Sequence, residues 1–209
     1  RSSFGRFMAI FVIIALGVGF FAGLKVTKEA MMATVREYLN QYGFYDFRLV
    51  STLGYDQENV DAISGAKDVE AAEGSVSFDV LYHLEDGSQG AVKVFSITQE
   101  VNTLKLVSGR MPQEGKECVA DSGMFGAADI GSVIYLSEDN EEEDLGHFAY
   151  REYTIVGLVQ SPLYLQYERG NTTLGTGRLD GFLCFTPDGF VTDYFTEIYV
   201  RFDRDYELY

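Results

Sequence analysis

Residues 7–24, FMAIFVIIALGVGFFAGL, run for 18 positions without a charge between Arg6 and Lys25. A helix rises about 1.5 Å per residue, so this stretch spans about 27 Å, close to a hydrocarbon core of about 30 Å. A helix of a soluble domain is rarely apolar all round for so long. The run therefore reads as a transmembrane helix. A cleaved signal peptide is the alternative, with Arg1 and Arg6 as its basic flank. The apolar run is long for that role, and Phe20 and Phe21 stand where a cleavage site needs small residues.

Within the helix, Ala15, Gly19 and Gly23 fall four apart and mark a candidate helix-packing face. Small residues at that spacing let a second helix approach closely in lipid. Glycine is also common in membrane helices without such a role. Beyond Lys25 the chain runs to Tyr42 without Gly or Pro and then meets Gly43, a helix-stop residue. Met31, Val35, Tyr38 and Tyr42 recur on one helical face, which predicts that the membrane helix continues as a stalk. The expected division is a flank and transmembrane helix over 1–25, a stalk helix over 26–43, and a core domain over 44–209.

The core domain alternates strand-like and turn-like stretches. Strands are expected at 47–51, 76–83, 91–97, 117–120, 132–136, 150–159, 181–185 and 196–202, with Asp86-Gly87 turning one hairpin. A short helix is expected at 56–64, with Asp56 as N-cap and Gly65 as stop. The final stretch, 201–209, reads as a strand running off its end, so the chain is expected to be truncated at its C-terminus. Ser-Gly-Arg-Met-Pro at 108–112 breaks the pattern and suggests an inserted subdomain over 111–180. The fold class is α+β: an apolar helix, then a mixed, strand-rich domain.

The formal charge is −16, and the chain after Arg6 holds 14 basic against 32 acidic residues. Such a surface repels phosphates, and no Lys/Arg cluster offsets it, which excludes nucleic acid as a partner. The signatures of catalysis fail on spacing. Gly109 to Glu117, GRMPQEGKE, has five residues between its glycines and Glu after Lys116, where a phosphate loop needs four and Ser or Thr. Ser64-Gly-Ala-Lys67 fits S-x-x-K without its partner motifs. His83 and His147 lie far apart with no ligand spacing. The acidic run at 138–144 lacks the spacing of a calcium loop and reads as a solvated hairpin tip. Cys118 and Cys184 each sit in a strand, as buried thiols or a disulfide. No residue is assigned a catalytic, cofactor-binding or metal-ligating role, no ligand-binding residue is identified, and no cofactor is expected in this chain.

Several stretches together resemble one family. These are Gly5-Arg6-Phe7 through Leu24-Lys25, then FRLVSTLG at 47–54, then VEAAE at 69–73. The most telling is LKLVSGRMPQEGKECV at 104–119, with its G-R-x-P and G-x-E segments. Ile130-Gly131, YTIVGLV at 153–159, and Ser161-Pro162 with Arg169-Gly170 continue the pattern. The chain resembles the first helix and extracytoplasmic core domain of an FtsX-like, MacB-type ABC-transporter permease. The acidic stretch at 138–144 departs from that pattern. The resemblance implies a location in the cell membrane with residues after about 25 extracytoplasmic, and further membrane helices. It also implies a separate cytoplasmic ABC ATPase, a permease homo- or heterodimer, and no catalysis by this chain itself. Cargo is left open. The alternative is the ligand-binding domain of a membrane-anchored sensor.

Overall fold

The computed structural model describes residues 2–203, in two units, 1–41 and 42–209. Arg1 and the end of the expected terminal strand, 204–209, lie outside the described residues.

The first unit is one helix, α1 (Ser2–Gln41). Its length is about 60 Å at 1.5 Å per residue, twice a hydrocarbon core. It is long and apolar enough to cross a membrane, and none of its apolar window is buried. Phe20 and Phe21 are each more than 70% exposed, an arrangement that suits lipid rather than water. Nothing in the helix separates the expected membrane and stalk segments at residue 25. The helix ends two residues before the predicted stop, so Tyr42 lies in a turn and not on the helical face expected of it. Gly43, at φ +60°, supplies the left-handed residue just beyond.

The second unit contains two sheets. The small one is antiparallel, in the order β1 (Phe47–Tyr55), β10 (Phe195–Phe202), β2 (Val69–Ser75). Helix α2 (Gln57–Ser64) packs on one face through Val60 and Ile63, against Ile198, Val200 and Leu49. Its N-terminus is fixed as expected: Asp56 accepts from the Asn59 amide at 2.8 Å, and Asn59 accepts in return from the Asp56 amide.

The large sheet holds β3 (Ser77–Leu84), β4 (Gln89–Ser96), β5 (Lys105–Gly109), β6 (Glu117–Asp121), β7 (Val133–Leu136), β8 (Glu152–Gln160) and β9 (Gly181–Phe185). Six of them close on themselves in the order β8-β6-β9-β4-β3-β7 and back to β8. Closure occurs because β8 is long enough to share one edge. Its first half pairs with β7, its second half with β5. The ring leaves no free edge among those six strands. Its interior is filled by Val80, Val92, Val94, Ile134, Ile155 and Phe185, all fully buried apart from ordinary contact.

The stretch 111–180, suggested as an inserted subdomain, contributes its strands to the closed ring. Strands β6, β7 and β8 lie between those limits and stand side by side as β7-β8-β6, but β7 pairs with β3 and β6 with β9, so this arc is closed into one ring with strands outside them. The insertion that exists is the whole barrel, which interrupts the small sheet between β2 and β10. Ser108 and Gly109 close β5, and residues 110–116 connect it to β6, so the break in the pattern marks the end of a strand. The acidic tip is also more built than expected. It carries a short helix, α3 (Glu142–Leu145), and its one amide, Asn140, is buried. Asn140 accepts from the Leu81 amide at 2.7 Å and donates to the Leu81 carbonyl at 2.8 Å.

Candidate functional site

The small sheet brings the two ends of the folded domain together. Phe47 lies opposite Val200 in the antiparallel β1–β10 pair. The Asp46 amide donates to Val200 O at 2.8 Å, and the Phe202 amide donates to Asp46 Oδ2 at 2.9 Å. The Phe47 and Phe202 rings meet edge to face at 5.9 Å. Chain that arrives at Asp46 therefore leaves beside it. The pair is tied again by Arg48, whose guanidinium donates to both oxygens of the buried Glu197, at 2.6 and 2.9 Å. Burial first, and the neighbouring Glu197 carboxylate second, push the Tyr199 phenol well up.

The barrel carries a concavity. Between β8 and β9 lies a connection without helix or strand, 161–180, long for a link within a compact domain. It is strapped to the barrel by Arg169. This guanidinium donates from Nε to Asp121 Oδ2 at 2.5 Å and from Nη2 to Asp121 Oδ1 at 3.1 Å. It also donates to the carbonyls of Gln166 and Tyr167. Tyr164 stacks on Phe182 with centroids 4.9 Å apart, and Arg169 lies over both rings. Beneath the strap is a cleft of about 520 Å³, lined in part by Met124, Tyr167, Glu168, Arg178 and Asp180. Both signs of charge face it, which suits recognition. Neither Cys lines it, and among the described residues no group of three or more His, Cys, Asp or Glu could hold a metal.

The family-like motif at 104–119 turns out to be a structural staple. Arg110 of G-R-x-P forms a bidentate pair with Glu117 of G-x-E, and the Gln113 amide donates to the same carboxylate at 2.8 Å. Gly109 has φ +76°, and a Cβ there would stand 2.4 Å from Val156 O. Spacing hid this pairing because the two residues meet across a turn. The guanidinium first, and the Gln113 amide second, hold the Glu117 carboxyl down at about 2, against 4.5 for the ordinary group. A folded value below the unfolded one gives stability that is complete above about pH 4.5 and fades as pH falls towards 2. Carboxyl-carbon NMR should show Glu117 titrating near the bottom of that range, and Arg110→Ala should return it towards 4.5. An ordinary titration in the unaltered chain would mean that the staple does not form in solution.

The other residues singled out by sequence are not brought together. Ala15, Gly19 and Gly23 lie on α1, where a Cβ added at either glycine meets nothing within 4 Å. Cys118 and Cys184 are both buried and free. They occupy neighbouring strands but oppose Phe185 and Val119 respectively, so one thiol faces the barrel interior and the other its outside. No disulfide joins them. His83 stacks on Tyr135 at 5.2 Å and His147 on Phe78 at 4.3 Å, as separate aromatic contacts.

No family model matches this chain, and no curated protein sequence matches it. Solved structures do align with it. One is the extracellular domain of the noncanonic ABC-type transporter YknZ from Gram-positive bacteria, at 10% identity and TM-score 0.47, covering 74% of this chain and 76% of that one. Another is the periplasmic region of MacB from Actinobacillus actinomycetemcomitans, at 12% identity and TM-score 0.46, covering 77% and 69%. Both are extracytoplasmic domains. An apolar N-terminal helix followed by a strand-rich, mixed-sheet domain is the architecture that the resemblance implied.

Proposed function

We propose that this chain is the first membrane helix and extracytoplasmic domain of an ABC-transporter permease. In this reading it acts with a cytoplasmic ATPase and a second permease subunit, and α1 relays ATP-driven motion to the outer domain for export or for a mechanical signal. The observation that carries the reading is the pairing of β1 with β10, which returns the chain to the end at which it came in. A domain inserted between two membrane helices needs that return. The motifs at 5–25 and 104–119 support the same family. Continuous helix matters as well: about half of α1 exceeds the membrane thickness, and a hydrogen-bonded rod transmits displacement that a flexible linker would absorb. Ala15, Gly19 and Gly23 would face neighbouring membrane helices.

The sensor alternative keeps one specific observation, the strapped cleft with both signs of charge. Topology mapping of the full-length protein separates the two. In intact cells an impermeant thiol reagent should label Glu141→Cys, while Ser3→Cys should react only after permeabilisation. Three or more further spans and a copurifying ATPase are the expected result. One further span leading into a signalling domain would replace the permease reading with the sensor.

A further inference from the structure

Resting on that reading, we infer that Glu73 is a positioning residue: its carboxylate latches the segment that follows α1 to the β4–β5 connection of the barrel. Glu73 lies on β2, opposite Tyr199 of β10. Its two oxygens accept three consecutive backbone amides. Gln99 donates at 2.9 and 3.1 Å, Glu100 at 2.9 Å and Val101 at 2.8 Å. These amides belong to the connection 97–104, which forms no strand or helix of its own. A carboxylate that gathers successive amides fixes such a loop more strongly than neutral acceptors would.

The next residues of the same loop hold the arriving chain. Asn102 is 3% exposed and adopts φ +54°. Its amide donates to Gly43 O at 2.8 Å, and the Thr103 amide donates to Tyr42 O at 2.9 Å. Asn102 Oδ1 accepts from the Tyr45 amide at 3.1 Å. Val101, fully buried beside Ala71 and Tyr199, seats the loop between these two sets of bonds. Gly43 leaves no slack, since a Cβ there would stand 2.5 Å from Glu100 O and 2.7 Å from Arg201 Nη1. A series of hydrogen bonds thus runs from the Glu73 carboxylate through 99–103 to 42–45. The loop itself continues into β4 and β5. Displacement of 42–45 consequently reaches the barrel through this connection as well as through β1, provided that Glu73 holds the loop.

Glutamine at position 73 keeps the shape, removes the charge and sets an NH2 group against amide donors. Hydrogen exchange on the full chain should show Glu73→Gln losing protection at 99–101, with 102 and 103 exchanging about tenfold faster in step. Amides of β6 and β9 should stay as in the unaltered chain. Coupling is reciprocal, so Gly43→Ala should loosen 99–101 along with 102 and 103. Unchanged protection at 102 and 103 in Glu73→Gln, or at 99–101 in Gly43→Ala, would overturn the latch. The second variant decides the matter if the first fails to fold. In the full-length complex, ATP should alter exchange at 105–109, and Glu73→Gln should abolish that response while ATP hydrolysis continues. Loss of the response together with hydrolysis would assign Glu73 a merely structural part. An unaltered complex that shows no response to ATP would instead remove the permease reading, leaving the two exchange results to judge the latch itself.

Discussion

Asp121→Ala is expected to destabilise the domain by about 3 kcal/mol, because it leaves a half-buried guanidinium without its counter-charge. The Asp121 side chain is 2% exposed and that of Arg169 10%, and since Arg169 borders the cleft, water takes over only in part. Asp121 also accepts the Gly123 amide at 2.8 Å, which loses its partner as well. The cost comes mainly from the stranded charge rather than from the absent attraction. Removing both charges, in Asp121→Leu with Arg169→Met, should therefore be milder than Asp121→Ala alone. Urea unfolding of the full chain followed by tyrosine fluorescence measures both, with the midpoint falling at an unchanged slope. If the double variant proved as unstable as the single one, strap packing around Tyr164 and Phe182 would carry the energy instead of the ion pair.

This pair also shows where sequence reading stops. Asp121 closes a strand expected at 117–120, one residue beyond its expected end, and Arg169 lies in a stretch that only the family resemblance drew out. Nothing in the sequence indicates that two residues 48 positions apart touch. Local rules worked where the physics is local. The Asp56 cap, the Asp86-Gly87 turn and the alternating face Val76, Phe78, Val80, Tyr82 are each decided within a few residues, and all three form, with Phe78 only partly buried. Strand β9 was legible to the residue because a fully buried strand is a short continuous apolar run. Strand β5, KLVSG, went unread by alternation because its residues are mostly exposed and its hydrogen-bond partner is remote. Barrel closure depends on β8 sharing an edge between β7 and β5, a fact of register that composition cannot express.

The longest-range consequence belongs to α1. Ala33→Pro removes one i→i−4 hydrogen bond and crowds the preceding turn, at a cost of about 3 kcal/mol to the helix. Residue 33 lies beyond the apolar run, so insertion into the membrane should survive. The barrel and small sheet have their own cores, and their urea midpoint should not move. Spin labels at positions 25 and 41 should report about 24 Å in the straight helix, and a shorter, broader distribution once it kinks. In the full-length complex the expected result is continued ATP hydrolysis with the outer domain no longer responding, whereas Ala33→Leu behaves as the unaltered protein. Retention of the response by a kinked helix would show that the relay does not depend on a rigid rod. The coupling would then have to pass sideways between membrane helices, and the face formed by Ala15, Gly19 and Gly23 would become the part of α1 to alter next.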